Sequence, residues 1–136
     1  MSDSVAPIYS LLFDEENRHA VQVEPNWANK TFDNTAGFYA FFHNNEVVYI
    51  GESGDLAERI GNQINNSVST LRTNIVKVED FHRLYNKEDV DNLLCDFMVS
   101  SATCNTSCGR RKELEKYWIE QTQPIYNEEH NPEFNK

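Results

Sequence analysis

Cysteine, proline and glycine are all scarce in this sequence. Its 136 residues include three Cys, four Pro and five Gly. A small and odd number of cysteines does not fit a disulfide framework, so we expect a reduced, cytoplasmic protein. The few glycines and prolines follow no repeating period, which excludes collagen-like, low-complexity and solenoid architectures.

Long apolar runs are also missing. No run approaches the ~20 residues that a membrane span requires, so we expect no membrane attachment. Residues 1–4 have neither the basic nor the apolar segment of a signal peptide, and we expect none. Hydrophobic residues nevertheless make up 39% of the chain and aromatic residues 12%, which is enough to build the core of one domain.

Basic residues are outnumbered, 12 against 22 acidic ones, which gives a formal net charge of −10. Such a charge argues against binding nucleic acid mainly through bulk electrostatics. Most of the excess lies in residues 1–46 and 128–136, whereas the middle of the chain is nearly balanced. The middle also contains one basic run, Arg110-Arg111-Lys112, which is a candidate nucleic-acid-binding patch.

Strand-like patterns occur in five places. Residues 38–42 and 47–50 are rich in aromatic and β-branched residues and flank a short polar segment, which predicts a hairpin. Residues 9–13, 21–23 and 74–81 also favour strands. Because both faces of the hairpin are apolar, we expect the sheet to be covered on both sides.

Helical spacing predicts three helices, over residues 54–65, 87–99 and 110–123, the last ended by Pro124. Strands and helices together indicate an α/β (α+β) domain with a small, mostly antiparallel sheet flanked by helices on both faces. We divide the chain into an N-terminal extension with a strand pair (1–35), the domain itself (36–127) and an acidic C-terminal tail (128–136).

Five short sequence elements follow one another along the chain. They are Gly37-Phe38-Tyr39, Tyr49-Ile50-Gly51, Arg59, Glu115 and Pro124-Ile125-Tyr126-Asn127. No single element is specific, but the ordered set resembles the GIY-YIG nuclease family, as a single-domain member with an N-terminal extension. One departure is Glu52, which stands where many members of that family carry lysine.

The resemblance implies a catalytic set of Tyr39, Tyr49, Arg59, Glu115 and Asn127. Glu115 would bind Mg²⁺ or Mn²⁺, and Arg59 would hold the scissile phosphate with its planar guanidinium. Tyr39 is the favoured residue for activating the water, with Tyr49 as its partner, although the two roles are interchangeable. Asn127 would brace the site.

A shared site requires Tyr39 and Tyr49 to lie on one face of the hairpin. A two-residue loop at Asn44-Asn45 with regular pairing puts them on opposite faces, whereas a three-residue loop pairs them directly. The resemblance therefore predicts an odd loop length or a bulge. We also expect the helix of Glu115 to cover the same face as the two tyrosines.

The sequence thus predicts a metal-dependent endonuclease that hydrolyses phosphodiester bonds, with nucleic acid, most simply DNA, as its partner. The alternative is a catalytically inactive, acidic protein of the same fold that acts as an inhibitor or adaptor through protein–protein contacts, which the acidic flanks favour. A homodimer would fit the endonuclease prediction, because one active site cuts only one strand of nucleic acid.

Overall fold

The computed structural model describes residues 6–79 and 87–134. Within these residues the helices are α1 (Ala6–Phe13), α2 (Trp27–Thr31), α3 (Leu56–Asn65), α4 (Thr70–Glu79), α5 (Lys87–Leu94) and α6 (Cys108–Thr122). The strands are β1 (His19–Ala20), β2 (Gly37–His43), β3 (Glu46–Ser53) and β4 (Met98–Thr103). None of the helices described there is both long and apolar enough to cross a bilayer.

The four strands form one antiparallel sheet in the order β1-β4-β2-β3. Strand β3 is therefore an edge strand, and β2 lies in the interior of the sheet. This arrangement confirms the predicted α+β class with an antiparallel sheet.

The sheet separates two apolar clusters, as the two-sided hairpin predicted. On one face, Tyr39, Phe41 and Tyr49 pack with residues of α3, α4 and α5, among them Leu56, Ile60, Ile64, Leu71, Ile75, Val90 and Leu94. On the other face, Phe38, Ala40, Phe42 and Ile50 pack with Leu12 of α1 and with Leu114, Trp118 and Ile119 of α6. Helices therefore cover both faces.

The hairpin combines a two-residue turn with a bulge. Asn44 and Asn45 both have positive φ, at 52° and 66°, which is the conformation of a type I′ turn. The register shifts between Phe41 and Phe42, so that Phe41 pairs with Tyr49, and Val48 is the extra residue. The predicted bulge is confirmed, whereas the three-residue loop with direct pairing of the tyrosines is wrong.

The N-terminal strand pair is wrong. Residues 9–13 belong to helix α1, in which Tyr9 and Phe13 stack one turn apart at 4.4 Å between ring centroids. The observed strand is β1, two residues before the predicted 21–23. The aromatic and leucine residues of the segment suit either structure, and α1 buries Leu12 completely against the sheet.

Two later assignments also change. The predicted strand at 74–81 lies in helix α4 as far as Glu79, and the rest falls outside the described residues. The β-branched residues there gave a strand signal, but Leu71 and Ile75 bury one helical face at i and i+4. The helix predicted over 87–99 ends at Leu94, and β4 begins at Met98.

Candidate active site

All five predicted site residues line one cleft beside β3, the edge strand of the sheet, and this cleft has a volume of about 270 Å³. They are Tyr39, Tyr49, Arg59, Glu115 and Asn127. Gln63, Glu52, Lys112 and Glu129 line the same cleft. The structure therefore brings together side chains from β2, β3, α3, α6 and the C-terminal segment.

The bulge turns both tyrosines toward the cleft. Tyr49 lies opposite Phe41, and Tyr39 lies opposite Gly51, so Tyr39 and Tyr49 share a face of the sheet. Their ring centroids are 6.2 Å apart and their planes differ by 29°. Regular pairing would have placed Tyr49 opposite Ala40, on the other face.

The motif glycines provide space rather than an unusual backbone conformation. A Cβ atom on Gly51 would lie 2.2 Å from the Tyr39 ring, which therefore packs directly over the Gly51 backbone. A Cβ atom on Gly37 would lie 2.2 Å from the Ala102 carbonyl oxygen of β4. At Gly37 the obstacle is the backbone of β4, whereas at Gly51 a larger residue would displace the buried Tyr39 ring.

Helix α3 carries Arg59 to the cleft wall. It begins after Asp55, whose side chain caps the helix by accepting the Glu58 N–H at 3.3 Å. Arg59 is exposed on the second turn and lines the cleft. Burial raises the pKa of both tyrosines, and the positive charge of Arg59 offsets part of that rise, which makes it a suitable neighbour for a phosphate or a phenolate.

Gln63 is a site residue that the sequence prediction missed. Its Nε2 donates to the Tyr39 hydroxyl at 3.0 Å and to the Tyr49 hydroxyl at 3.4 Å. Its Oε1 accepts the Leu71 N–H at 2.9 Å. The available signal was its spacing, because a residue four positions after Arg59 lies on the same side of the helix.

Glu115 reaches the cleft from a different side than predicted. Helix α6 packs on the face that carries Phe38, not on the face of the tyrosines, and the centroids of Trp118 and Phe38 lie 4.6 Å apart. The prediction failed because both faces of the hairpin are apolar, so the apolar residues of α6 could have packed on either face. Glu115 therefore approaches the tyrosines past the edge of β3.

The Glu115 carboxyl has a pKa raised to about 7. Burial is the main cause, and the negative charges of Glu52 and Glu129 add to it. A hydrogen bond from the Glu52 backbone and the charge of Lys112 act in the opposite direction. Burial thus makes this carboxyl harder to ionise in the protein alone, and the carboxylates beside it add to that effect.

The basic run does not act as one patch. The side chain of Arg111 is only 9% exposed. Its Nε donates to Glu52 Oε2 at 3.1 Å, and its Nη1 donates to the Thr106 carbonyl oxygen at 2.6 Å. Arg111 is therefore a largely buried ion-pair partner of Glu52 and not a free surface cation, and nucleic-acid binding by the basic run stays a prediction. Arg110 pairs with Glu113 on the surface, and Lys112 alone of the three lines the cleft.

Asn127 is held by the edge strand. Its Oδ1 accepts the Ile50 N–H and its Nδ2 donates to the Ile50 carbonyl oxygen, both at 2.9 Å. The Tyr126 N–H adds a bond to the Val48 carbonyl oxygen at 2.9 Å. The segment thus extends the sheet beyond β3, and Asn127 fits the predicted bracing position.

Both phenols are difficult to ionise in the protein alone. Burial raises the pKa of Tyr39 well above its ordinary value and that of Tyr49 to about 12. Hydrogen bonds from Gln63 lower both pKa values, and a hydrogen bond with Tyr39 further lowers that of Tyr49. The negative charge of Glu115 adds to the effect of burial at Tyr49, so both phenols are neutral near neutral pH in the protein alone.

The residues fit a hard divalent cation. No group of three or more metal-ligating side chains occurs in residues 6–79 and 87–134. Magnesium commonly binds through one or two carboxylates and completes its coordination with water and substrate phosphate. Glu115, half-buried in the cleft beside the carboxylates of Glu52 and Glu129, matches that requirement.

One family model matches most of this chain. A model described as the GIY-YIG catalytic domain matches residues 35–129. No curated protein matches the chain significantly.

Solved structures of the GIY-YIG N-terminal endonuclease domain of UvrC from Thermotoga maritima are similar to this chain. The one bound to its catalytic divalent cation, magnesium, has 15% sequence identity and a TM-score of 0.46, over 93% of this chain and 99% of that chain. A point mutant of the same domain, also bound to its catalytic cation, has 18% identity and a TM-score of 0.44, over 70% of this chain and 84% of that chain.

Proposed function

Because the chain belongs to the GIY-YIG nuclease family, we propose that it is a metal-dependent endonuclease that hydrolyses phosphodiester bonds in DNA. The observation that carries the proposal is the convergence of two buried phenols, an arginine and a half-buried carboxylate in one cleft. This set supplies the groups that phosphodiester hydrolysis requires: a water-activating group, a phosphate-binding cation and a metal ligand.

Glu115 is the proposed ligand for Mg²⁺ or Mn²⁺. When bound, the ion would neutralise charge on the phosphate and stabilise the leaving oxygen. Arg59 would bind the scissile phosphate through its guanidinium N–H groups. Asn127 would keep the edge of β3, and with it Tyr49, in position.

Tyr49 is the better candidate for orienting and deprotonating the attacking water, which reverses the preference for Tyr39 that the resemblance gave. Tyr49 is 7% exposed and Tyr39 is 1% exposed, so Tyr49 has better access to a water in the cleft. Gln63 donates to the Tyr49 hydroxyl at 3.4 Å, a hydrogen bond that favours the phenolate at Tyr49 as the 3.0 Å bond does at Tyr39. Tyr39 would then act as its hydrogen-bonding partner.

The charges around the cleft favour one direction of approach for a polyanion. Four carboxylates line the cleft, those of Glu52 in β3, Glu115 in α6, and Glu128 and Glu129 in the C-terminal segment, whereas Arg59 comes from α3. A nucleic acid strand would therefore enter past Arg59, with Lys112 reducing the repulsion opposite. With a net charge of −10 the chain would bind nucleic acid weakly at physiological salt.

The completeness of the cleft favours an active nuclease over the inhibitor or adaptor alternative. An inactive protein of this fold would not need a carboxylate, an arginine and two phenols directed at one cavity. A homodimer stays a prediction.

Nicking of supercoiled plasmid DNA tests the proposal. We expect cleavage with Mg²⁺ or Mn²⁺, none with EDTA, and none from Glu115→Gln under any of these conditions. Glu113→Gln is the matched control, because Glu113 lies on the same helix but is 72% exposed and pairs only with Arg110 among the described residues. Cleavage that survives EDTA, or equal losses in the two variants, would contradict the assignment of Glu115. A parallel assay on RNA separates the two nucleic acids.

A further inference from the structure

We propose that Gln63 is a positioning residue that presents both phenols of the site, through the two hydrogens of one amide group. The inference rests on the proposed nuclease function and deepens it. The Gln63 Nε2 lies 3.0 Å from the Tyr39 hydroxyl and 3.4 Å from the Tyr49 hydroxyl. An amide nitrogen has two hydrogens, so each phenol can accept one.

The orientation of the amide follows from its other contact. The backbone N–H of Leu71 can only donate, and it lies 2.9 Å from the amide oxygen of Gln63. The nitrogen must therefore face the tyrosines, and both phenol oxygens act as acceptors toward Gln63. Each phenol hydrogen is then directed elsewhere, either to the other phenol or into the cleft.

The side chain is fixed by its surroundings. Gln63 is buried, and its backbone carbonyl oxygen accepts the Ser69 hydroxyl at 2.8 Å. The same hydroxyl oxygen accepts the Arg72 N–H at 3.2 Å, at the start of α4. Gln63 therefore links α3, α4 and the two tyrosine strands, and small movements of the amide are restricted.

The donor character of the amide is the functional feature. A buried N–H that points at a phenol oxygen stabilises the phenolate and leaves the opposite lone pair free for a water. A carboxylate in the same place would accept from the phenols and turn their hydrogens away from the cleft. Gln63→Glu keeps the side-chain length and an acceptor for the Leu71 N–H, and it reverses only the group that faces Tyr39 and Tyr49.

A double-mutant cycle on plasmid cleavage tests the inference. We measure the maximal single-turnover rate for the wild type, Gln63→Leu, Tyr49→Phe and the double variant. When Tyr49 is present, Gln63→Leu should lower the rate by roughly 10- to 100-fold. In the Tyr49→Phe background, the same substitution should lower the rate by less than about threefold. KM should change little, because Gln63 does not have to contact the phosphate. Tyr39→Phe provides a second cycle.

Gln63→Glu covers the case in which Gln63→Leu does not fold. Its buried carboxylate should lower the unfolding temperature but leave the protein folded, because the Leu71 N–H and the two phenols can all donate to it, and the rate should fall by at least roughly tenfold. Gln121→Leu, on an exposed part of α6, should retain the wild-type rate. Equal rate losses from Gln63→Leu with and without the Tyr49 hydroxyl, or a fully active Gln63→Glu, would overturn the inference alone. A wild-type chain inactive with either metal would overturn the proposed function as well.

Discussion

Asn127 satisfies both backbone groups of Ile50, through two hydrogen bonds of 2.9 Å. Ile50 lies on the edge strand, where these groups would otherwise have no neighbouring strand. The carboxamide therefore takes the place of a peptide group of a fifth strand. This bond pair lies next to Tyr49, so the brace and the proposed general base depend on the same part of β3.

Asn127→Ala should lower the free energy of unfolding by roughly 1–3 kcal/mol, because it leaves the buried N–H and C=O of Ile50 unpaired. Urea unfolding measures the change. Asn127→Asp should be at least as destabilising as Asn127→Ala, since it turns the donor facing the Ile50 carbonyl oxygen into a buried, repelling carboxylate oxygen. Asn62→Ala, at an exposed asparagine of α3, should stay within about 0.5 kcal/mol of the wild type. A loss as large in that control would contradict the bracing role.

Gly51→Ala should reduce both stability and cleavage. The new methyl group would lie 2.2 Å from the Tyr39 ring, which must move or rotate away from Gln63. Overpacking of this kind costs roughly 1–3 kcal/mol, and we expect a rate loss of at least about tenfold from the displaced phenol.

Gly109→Ala is the matched control for this variant. A Cβ atom there meets nothing within 4 Å, and the residue lies in the first turn of α6. Because alanine favours helix over glycine, this variant should be as stable as the wild type or slightly more stable. Thermal unfolding and plasmid nicking on both variants check the pair, and a harmless Gly51→Ala would contradict the packing of Tyr39 on the strand backbone.

The sequence predicted the fold best where local pattern and burial agree. The apolar residues of α3 recur at the spacing of its buried face, and the continuous apolar runs of β2 and β3 match a hairpin that is buried on both faces. Strand β4 was missed because Ser100 and Ser101 interrupt its apolar alternation, although the Ser100 hydroxyl is satisfied by the Leu12 carbonyl oxygen. Such a partner comes from a distant segment, and no local pattern reveals it.

The site residues were predicted from their positions in the sequence, whereas the chemistry of the site depends on the three-dimensional distances between their side chains. The sequence identified the two tyrosines, and it limited the hairpin to an odd loop or a bulge. It could not tell which face α6 covers, because Leu114 and Trp118 find apolar cover on either side of the sheet. Nor could the sequence show that Arg111 forms an ion pair with Glu52, because that pair joins β3 to α6, which are far apart in the chain.

Lys112→Glu should weaken binding of nucleic acid more than Arg110→Glu does. Lys112 is 66% exposed, lines the cleft and lies 3.8 Å from Glu52, whereas Arg110 pairs with Glu113 away from it. Fluorescence anisotropy with labelled DNA and EDTA, at several salt concentrations, measures binding without cleavage. The difference between the variants should shrink as salt rises. Equal effects would mean that the strand contacts the outer face of α6.

Mg²⁺ should stabilise the protein more at about pH 8 than at about pH 6, because the ion binds the deprotonated Glu115 carboxylate. The pKa of this carboxyl is raised to about 7 in the folded protein, from an ordinary value of 4.5. Between these values the folded state binds more protons than the unfolded state. This group therefore lowers the stability of the metal-free protein as pH rises through that window.

Thermal unfolding with and without Mg²⁺ at the two pH values provides the measurement, and Glu115→Gln provides the reference. A neutral amide cannot titrate, so the difference between wild type and variant isolates this one carboxyl from the histidines. Asp91 does not contribute within the window, because its pKa is lowered from 3.8 and it stays ionised throughout. In the wild type, Mg²⁺ should give little increase in unfolding temperature at the lower pH and a clear increase at the higher one. In Glu115→Gln it should give no specific increase at either, and a Mg²⁺ effect that persists in the variant would locate the ion elsewhere.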